Sequence, residues 1–163
     1  MKKFSLLFMI LLLCGCKSGS LTHRKVTFTL APFTALADVK WCEEDYTAAV
    51  SYSETGALAI SLDGGALETP VVFSISEGRQ LIEQGELEFS QAIEEALPSS
   101  IAVQFYMGIT ALSSCGETDP NEDGVYCFYG PMTSAITDKD GNWEQITLEN
   151  GYFVFKEFTF TPK

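Results

Sequence analysis

The stretch between Cys115 and Cys127 holds the side chains most suited to binding a metal ion. Three of them alternate just before Gly124, which is the spacing of the oxygen ligands and turn glycine in the first half of a calcium-binding loop. A complete loop would have a bidentate glutamate where this chain has Gly130, so a ligand must come from elsewhere. The candidate calcium ligands are Glu117, Asp119, Asn121 and Asp123. The alternative is that these residues only form turns, as Asp, Asn, Pro and Gly commonly do.

The two cysteines that flank this stretch are also a candidate disulfide. In an oxidising compartment, a bond between Cys115 and Cys127 would close a short loop and stabilise the fold by about 3 kcal/mol in the chain-entropy model. Cys42 could pair with either of them instead. If Cys42 is left over, it is either a buried or a reactive thiol, and we favour the buried state.

No set of catalytic residues accompanies these candidates. The chain has one histidine, His23, close to its N-terminus, so it lacks the base that serine and cysteine nucleophiles require. It has no glycine-rich phosphate loop and no nucleophile elbow. We therefore predict a protein that is not an enzyme and has no cofactor, with calcium as the alternative. A glycan hydrolase, which needs only two carboxylates, is a further alternative.

The first residues predict where the protein is located. Lys2 and Lys3 precede an apolar run that is too short to span a bilayer, as in a secretory signal. The signal ends in Leu13-Cys14-Gly15-Cys16, which resembles the lipobox of bacterial lipoproteins. The resemblance implies acylation of Cys16 and cleavage after Gly15. Lys17 in the next position resembles the class sorted to the outer membrane.

These features divide the chain into a signal peptide (1–15), a lipidated tether (16–24) and one domain (25–163). Several acyl chains on Cys16 would anchor the domain stably to a membrane of the cell envelope. The formal net charge is −12. Because phosphate recognition needs a basic patch, we exclude nucleic acid as a partner.

Period-two alternation predicts that most of the domain is β-structure. The predicted half-buried strands lie in KVTFTL (25–30), GALAISLD (56–63), TPVVFSIS (69–76) and IAVQFYMGI (101–109). VYCFY (125–129) is apolar throughout, which indicates a strand covered on both faces. Gly64-Gly65 and the DG and NG pairs of the C-terminal third predict hairpin turns, so that third is expected to be a three-stranded meander.

Two segments depart from simple alternation. GELEFSQAIEEALP has apolar residues at helical spacing, which predicts a short helix over 88–97. In the last strand Phe153 and Phe155 are out of phase with Phe158 and Phe160, and a bulge at Lys156-Glu157 would place all four rings on one face. We predict an all-β fold, a β-sandwich of eight or nine mostly antiparallel strands with one short helix; a small closed barrel is the alternative.

The hairpin TDKDGNWEQITLENGYFVF is similar to one in transthyretin-like and carboxypeptidase-regulatory-like domains. The matching residues are Thr137, Asp138, Asp140, Gly141, Trp143, Leu148, Gly151 and Tyr152. The resemblance covers 19 residues and implies a small sandwich used as a structural or adhesive module.

Aromatic side chains could form a binding face for a glycan or a protein. The candidates are Trp41, Tyr46, Tyr52, Tyr106, Tyr126, Tyr129 and Trp143. The function we predict is a lipid-anchored binding or structural module of the cell envelope, whose partners are the membrane and an envelope protein or glycan. The alternatives are a calcium-dependent adhesion module and a carboxylate-based glycan hydrolase.

Overall fold

The computed structural model describes residues 24–161, which form ten β-strands, one α-helix and a short 3-10 helix. The strands are β1 (Phe33–Trp41), β2 (Glu44–Tyr52), β3 (Leu58–Gly64), β4 (Val71–Ser76), β5 (Arg79–Gln84), β6 (Leu87–Ala92), β7 (Tyr126–Gly130), β8 (Thr133–Thr137), β9 (Trp143–Leu148) and β10 (Gly151–Phe160). The helices are the 3-10 turn Ile93–Glu95 and helix α1, Ile101–Leu112. The predicted signal peptide, the acylated Cys16 and all of the tether except Arg24 lie outside the described residues.

The ten strands form one antiparallel sheet with the order β6-β5-β4-β3-β2-β1-β10-β9-β8-β7. Strands that follow one another along the chain are neighbours in the sheet within each half. The halves meet where the first strand pairs with the last, with Phe33 opposite Phe160 and Trp41 opposite Gly151. A side chain at Gly151 would collide with the backbone of Lys40, so only glycine allows the two strands to approach this closely there.

One face of the sheet carries the core. In β1, Phe33, Ala35, Ala37 and Val39 are buried and the residues between them are exposed, as expected for a strand with one solvated face. Helix α1 packs on the apolar face and contacts β3 and β4 from one half and β7, β8 and β9 from the other. Because strands on both sides of the sheet centre contact the same helix, the sheet curves around it. We call the apolar side the concave face and the solvated side the convex face.

The strand predicted for residues 101–109 is wrong, because this segment begins helix α1. The segment is apolar almost throughout, so its sequence satisfies the period of a strand as well as that of a helix. A strand would place Phe105 and Met107 on the same face. The helix instead buries Phe105 against Phe153, with ring centroids 4.7 Å apart, and leaves Met107 56% exposed.

The helix predicted for residues 88–97 is also wrong. Residues 87–92 form strand β6, and only Ile93–Glu95 turn as a 3-10 helix. The helical spacing of Phe89 and Ile93 is overridden by pairing with β5, where Phe89 lies opposite Ile82. Tertiary pairing of this kind commonly outweighs the weak helical preference of a Glu- and Ala-rich segment.

The bulge predicted in the last strand is confirmed. Leu36 pairs with Glu157 and Ala37 pairs with Phe155, so Lys156 is the extra residue of β10. The bulge brings four rings onto the concave face, where consecutive centroids are 4.9 to 6.4 Å apart. They are Phe153, Phe155, Phe158 and Phe160.

The segment that precedes β1, which we call the strap (residues 24–32), crosses the core. The strand predicted for 25–30 is wrong, because only Val26 pairs, in an isolated bridge with Thr118. The alternation nevertheless identified the buried side chains, since Phe28 packs against Phe128 at 5.5 Å and Trp143 at 4.8 Å.

The strand predicted for 125–129 exists, but it is not covered on both faces. It is β7, which lies at one edge of the sheet. Its side chains alternate in burial: Tyr126 and Phe128 are buried, and Cys127 and Tyr129 are more exposed.

The predicted class, an all-β fold of antiparallel strands with one helix, is confirmed. The strands number ten rather than eight or nine, and the halves of one continuous sheet share a core. The closed-barrel alternative is wrong, because β6 and β7 remain separate edges. The C-terminal meander is confirmed as β8, β9 and β10, and the turn at Gly64-Gly65 has the positive φ angles expected of it.

Candidate functional site

The predicted calcium loop is organised by its own hydrogen bonds. Asn121 Oδ1 accepts hydrogen bonds from the backbone N–H groups of Asp123 at 3.0 Å and Val125 at 2.9 Å. The Asp119 carboxylate lies 4.0 Å from Lys25 Nζ. One of the predicted ligands therefore acts as a turn former, which is the alternative that the sequence left open.

The other predicted ligands do not converge. Within residues 24–161 there is no group of three or more His, Cys, Asp or Glu side chains placed to hold a metal ion. The carboxylates of Glu117, Asp119 and Asp123 are thus not brought together in the structure. The arrangement gives the calcium hypothesis no support.

The three cysteines of the described chain are all free thiols. The structure does not contain the predicted disulfide between Cys115 and Cys127, although both are half-buried in the same region. Cys115 Sγ instead donates to the carbonyl oxygen of Tyr129 at 3.4 Å. Cys42 is exposed in the turn between β1 and β2, so our expectation that it is buried is wrong. Its φ angle of 48° is that of a tight turn, which leaves its side chain in solvent.

The main candidate site is a cavity of about 480 Å³ on the concave face. Strands β1 to β6 form its wall, and the segment before α1 borders it on the other side. Ten of the lining side chains are apolar or aromatic: Trp41, Tyr46, Leu62, Leu67, Val71, Phe73, Ile82, Phe89, Leu97 and Ile101. The four polar ones are Gln80, Gln91, Ser99 and Ser100. Its size and mixed lining are typical of a small-molecule site.

A chain of hydrogen bonds lies in the wall of this cavity. Gln80 is fully buried, and its Nε2 donates to Ser100 Oγ at 2.7 Å. Its Oε1 accepts a hydrogen bond from Gln91 Nε2 at 3.3 Å. Each of these three side chains keeps further donor or acceptor capacity, because an amide can make about four hydrogen bonds and a hydroxyl about three. The group can therefore offer both donors and acceptors to a ligand without carrying a charge.

Ser100 has an unusual role at the start of α1. It stands at the N-cap, where a serine oxygen commonly accepts a hydrogen bond from the first turn of the helix. Here its side chain makes no capping hydrogen bond, and Gln80 occupies its oxygen instead. The serine thus connects the helix to β5 at the edge of the cavity.

The cavity opens to solvent beside β6. Phe89 is 55% exposed and Leu97 is 71% exposed, and both are among its lining residues. Large apolar side chains exposed together at the rim of a cavity mark a surface suited to binding.

The lining also has a distinctive electrostatic character. The chain contains 22 acidic and 10 basic residues, yet no charged residue within 24–161 lines the cavity. A ligand with a buried charge would therefore find no counter-ion, which is costly in an apolar environment. The same absence of carboxylates means that this cavity lacks the two acids of a glycan hydrolase.

Two carboxylates on the convex face are engaged with lysines. Asp38 Oδ1 lies 2.6 Å from Lys156 Nζ, and Asp45 Oδ1 lies 3.2 Å from Lys40 Nζ. Both aspartates border a second concavity on that face, which Asp63 also lines without a salt bridge to a described residue.

Among the predicted aromatic platforms, Trp41 and Tyr46 line the cavity. Trp143 and Tyr126 are buried in the core, whereas Tyr129 is exposed on β7. Tyr52 stacks on Phe33 at 6.0 Å. Burial raises the pKa of the Tyr52 hydroxyl, and the neighbouring Tyr106 raises it further.

Phe73, Gln80 and Ile82 were not predicted as site residues, and the last two lie on β5, a strand that was not identified from the sequence. Two glycine turns, at Gly78 and Gly85, bracket RQLIEQ and were the signal that could have found this strand. With β5 in place, the antiparallel order would have brought its side chains beside those of β4.

The chain matches no family model, and a search of curated proteins gives no significant match. Among the described residues, no helix has the length and apolar character needed to span a membrane.

Proposed function

We propose that the protein is a lipid-anchored, non-enzymatic binding module of the bacterial cell envelope. We further propose that its concave cavity takes an uncharged, mainly apolar ligand with one hydrogen-bonding group. The observation that carries the proposal is the lining of the cavity, which combines ten apolar side chains with four neutral polar ones in a chain with a formal net charge of −12.

The chemistry of the lining defines the ligand. Apolar rings and aliphatic side chains favour hydrocarbon or aromatic groups through burial, at roughly 25 cal/mol per Å² of apolar surface. Gln80, Gln91 and Ser100 supply directional hydrogen bonds for a carbonyl, amide or hydroxyl group. A carboxylate or phosphate would meet no cationic side chain among the described residues that line the cavity, so its charge would have to remain in solvent.

A matched pair of probes tests the cavity directly. N-phenyl-1-naphthylamine is neutral, and 1-anilinonaphthalene-8-sulfonate differs from it by one sulfonate group. We expect the purified full chain to bind the neutral probe with enhanced fluorescence, and to bind the sulfonate about tenfold or more weakly because its charge is unpaired. Equal or stronger binding of the sulfonate would contradict the proposed ligand class.

Filling the cavity gives the second arm of this experiment. Ile82→Trp adds volume to the lining, whereas Ile136→Trp makes the same change on the convex side of β8. We expect the first variant to lose binding of the neutral probe and the second to retain it. If both variants bind equally well, the probe is bound elsewhere.

The anchor is proposed from the lipobox and is tested separately. Cys16→Ser removes the thiol that would be acylated, so we expect the protein to leave the membrane fraction and to lose incorporation of labelled palmitate. Cys42→Ser is the matched control and should change neither. A Cys16→Ser protein that still fractionates with membranes would exclude acylation as its anchor.

A further inference from the structure

The two edges of the sheet differ in how they are covered. At the β7 edge, Cys115 Sγ donates to the carbonyl of Tyr129 at 3.4 Å. The loop between α1 and β7 thus contacts that edge. Strand β6, the other terminal strand, is hydrogen-bonded to β5 and to no other strand of the described chain.

The register identifies the backbone groups that β6 leaves free. The N–H of Ile93 donates to the carbonyl of Gly78 at 2.9 Å, which marks a hydrogen-bonded pair at the end of the hairpin. In an antiparallel ladder such pairs alternate with non-hydrogen-bonded ones. Following the alternation along β6, the backbone N–H and C=O groups of Glu88, Ser90 and Ala92 point away from β5.

The side chains along this edge are unusual for an unpaired strand. Leu87 is 74% exposed and Phe89 is 55% exposed, and Phe89 lies on the concave face where it borders the cavity. In this half of the sheet, β4 is the outermost strand on which α1 mainly packs. Strand β6 lies two strands further out. An edge with exposed apolar side chains and free backbone groups is a template for strand addition.

The charge of the β6 edge indicates what kind of segment could bind there. Glu88 lies directly opposite Glu83, both are exposed, and neither is in a salt bridge with a described residue. Like charges placed directly across two strands destabilise a sheet. A basic side chain on an added strand, next to Glu88, would relieve this repulsion.

We propose that the β6 edge docks an extended segment of a partner protein, which adds to the sheet as a further strand. The segment alternates apolar residues, which lie beside Leu87 and Phe89 on the concave face, with Lys or Arg, which lie beside Glu88 on the convex face. A second copy of this chain is a poor occupant, because the chain has a net charge of −12 and would place acidic edges together. This proposal does not depend on a ligand in the cavity.

The probe is the peptide acetyl-Thr-Val-Lys-Val-Lys-Val-Thr-amide with a fluorescent label, titrated with the full chain and followed by anisotropy. Ser90→Pro removes an N–H group that points away from β5, so it blocks an added strand without removing a bond to β5. Ser90→Ala is its control, because both variants lose the hydrogen bond that Arg79 Nη2 donates to Ser90 Oγ at 3.1 Å. We expect Ser90→Pro to abolish binding and Ser90→Ala to preserve it.

A charge reversal tests the second part of the proposal without disturbing the backbone. Glu88→Lys should weaken binding of the lysine peptide by about fivefold and strengthen binding of the corresponding glutamate peptide. Glu144→Lys, an exposed position on β9, changes the net charge equally and should leave the ratio of the two affinities unchanged.

Three outcomes would overturn the proposal. One is equal binding by Ser90→Pro and Ser90→Ala. Another is undiminished binding of both of two peptides in which every second backbone amide is N-methylated, one peptide for each alternation. One of the two cannot donate the ladder hydrogen bonds of an added strand. The last is concentration-dependent dimerisation of the unmodified chain that Ser90→Pro abolishes, which would assign the edge to a second copy.

Discussion

At the scale of single residues, Asp138 organises the turn between β8 and β9. Its Oδ1 accepts hydrogen bonds from the backbone N–H groups of Asp140 at 2.8 Å and Asn142 at 2.9 Å, and its Oδ2 accepts one from Asn142 Nδ2 at 2.8 Å. Burial raises the pKa of this carboxyl, but the hydrogen bonds from Asn142, Asp140 and Gly141 outweigh burial and lower it below its ordinary value of 3.8. The turn that the sequence predicted from Asp140-Gly141 is thus held mainly by Asp138, two residues before Asp140.

The lowered pKa of Asp138 predicts an acid-dependent loss of stability. The stabilisation by the carboxylate is complete above the unfolded pKa of 3.8 and is lost as the pH falls through the lower pKa of the folded protein. We expect Asp138→Asn to lower the free energy of unfolding by about 1 kcal/mol at neutral pH and by less at acidic pH. Thermal melts from pH 3 to pH 7 measure this difference.

Asp140→Asn is the matched control, because it changes a carboxylate in the same turn for which the structure gives no side-chain hydrogen bond. It should have little effect at either pH. An Asp138→Asn deficit that is the same at pH 3 and pH 7 would mean that the carboxylate charge does not stabilise the turn.

At the scale of elements, the bulge in β10 determines which face of the sheet the side chains in the second half of this strand point to. Lys156 and Glu157 both face the convex side, so deleting Lys156 leaves Phe155, Glu157 and Phe158 in unbroken alternation and turns no ring away from the core. Inserting one alanine between Glu157 and Phe158 instead moves Phe158 and Phe160 to the opposite face, away from their ring contacts with Phe33 and Phe155. We expect the insertion to abolish the cooperative unfolding transition and the near-ultraviolet circular dichroism, and the deletion to retain both.

Lys156→Ala separates the bulge from its salt bridge. It keeps the extra residue and loses only an exposed ion pair with Asp38, so we expect it to cost no more than about 1 kcal/mol. If the insertion variant unfolds as cooperatively as Lys156→Ala, the facing of the four rings does not depend on the number of residues in this segment.

The faces of helix α1 give a second prediction at this scale. Phe105 is fully buried and Met107 is mostly exposed, which only a helix allows. We expect Phe105→Ala to cost about 3–5 kcal/mol, as for truncation of a buried phenylalanine. Met107→Ala should change stability by no more than about 0.5 kcal/mol, as an exposed substitution does.

Chemical denaturation of both variants measures this difference. Similar losses for the two substitutions would instead fit a strand, in which both side chains face the core.

Local patterns predicted the elements whose periodicity was clear. Alternation and glycine turns identified β3, β4 and the meander from β8 to β10, and the phase of four phenylalanines located the bulge. The same reasoning failed for 101–109, since an apolar segment without interruption satisfies two periods. It also failed for 88–97, where pairing with β5 decides the structure and the turn glycine Gly85, which signals that hairpin, was not interpreted as one.

At the scale of the whole molecule, the cavity could not be predicted from the sequence for a related reason. Trp41 and Tyr46 were identified as possible platforms, but Gln80 and Ile101 join them only through the order of strands and the position of α1. Residues that are distant in sequence meet there, and neither composition nor spacing specifies such neighbours.

The shared core predicts that both halves unfold together. Trp41 reports on β1 and the cavity, whereas Trp143 reports on β9, and these are the chain's only tryptophans. In the single-tryptophan variants Trp143→Phe and Trp41→Phe, we expect fluorescence and far-ultraviolet circular dichroism to give one midpoint within each variant. A fluorescence midpoint that departs from the circular dichroism midpoint in either variant would show that one half unfolds separately.

The pairing of β1 with β10 has a consequence for the order in which the chain is made. Strand β1 can pair with β10 only after β10 has been synthesised. Likewise, Phe28 of the strap can pack against Phe128 and Trp143 only after these later residues have been synthesised. Pairings that span a whole chain form slowly, since their loops must close first. The nascent domain therefore stays incomplete until β10 has been synthesised, which is the condition that a chain needs if it is to be threaded through a membrane before it folds.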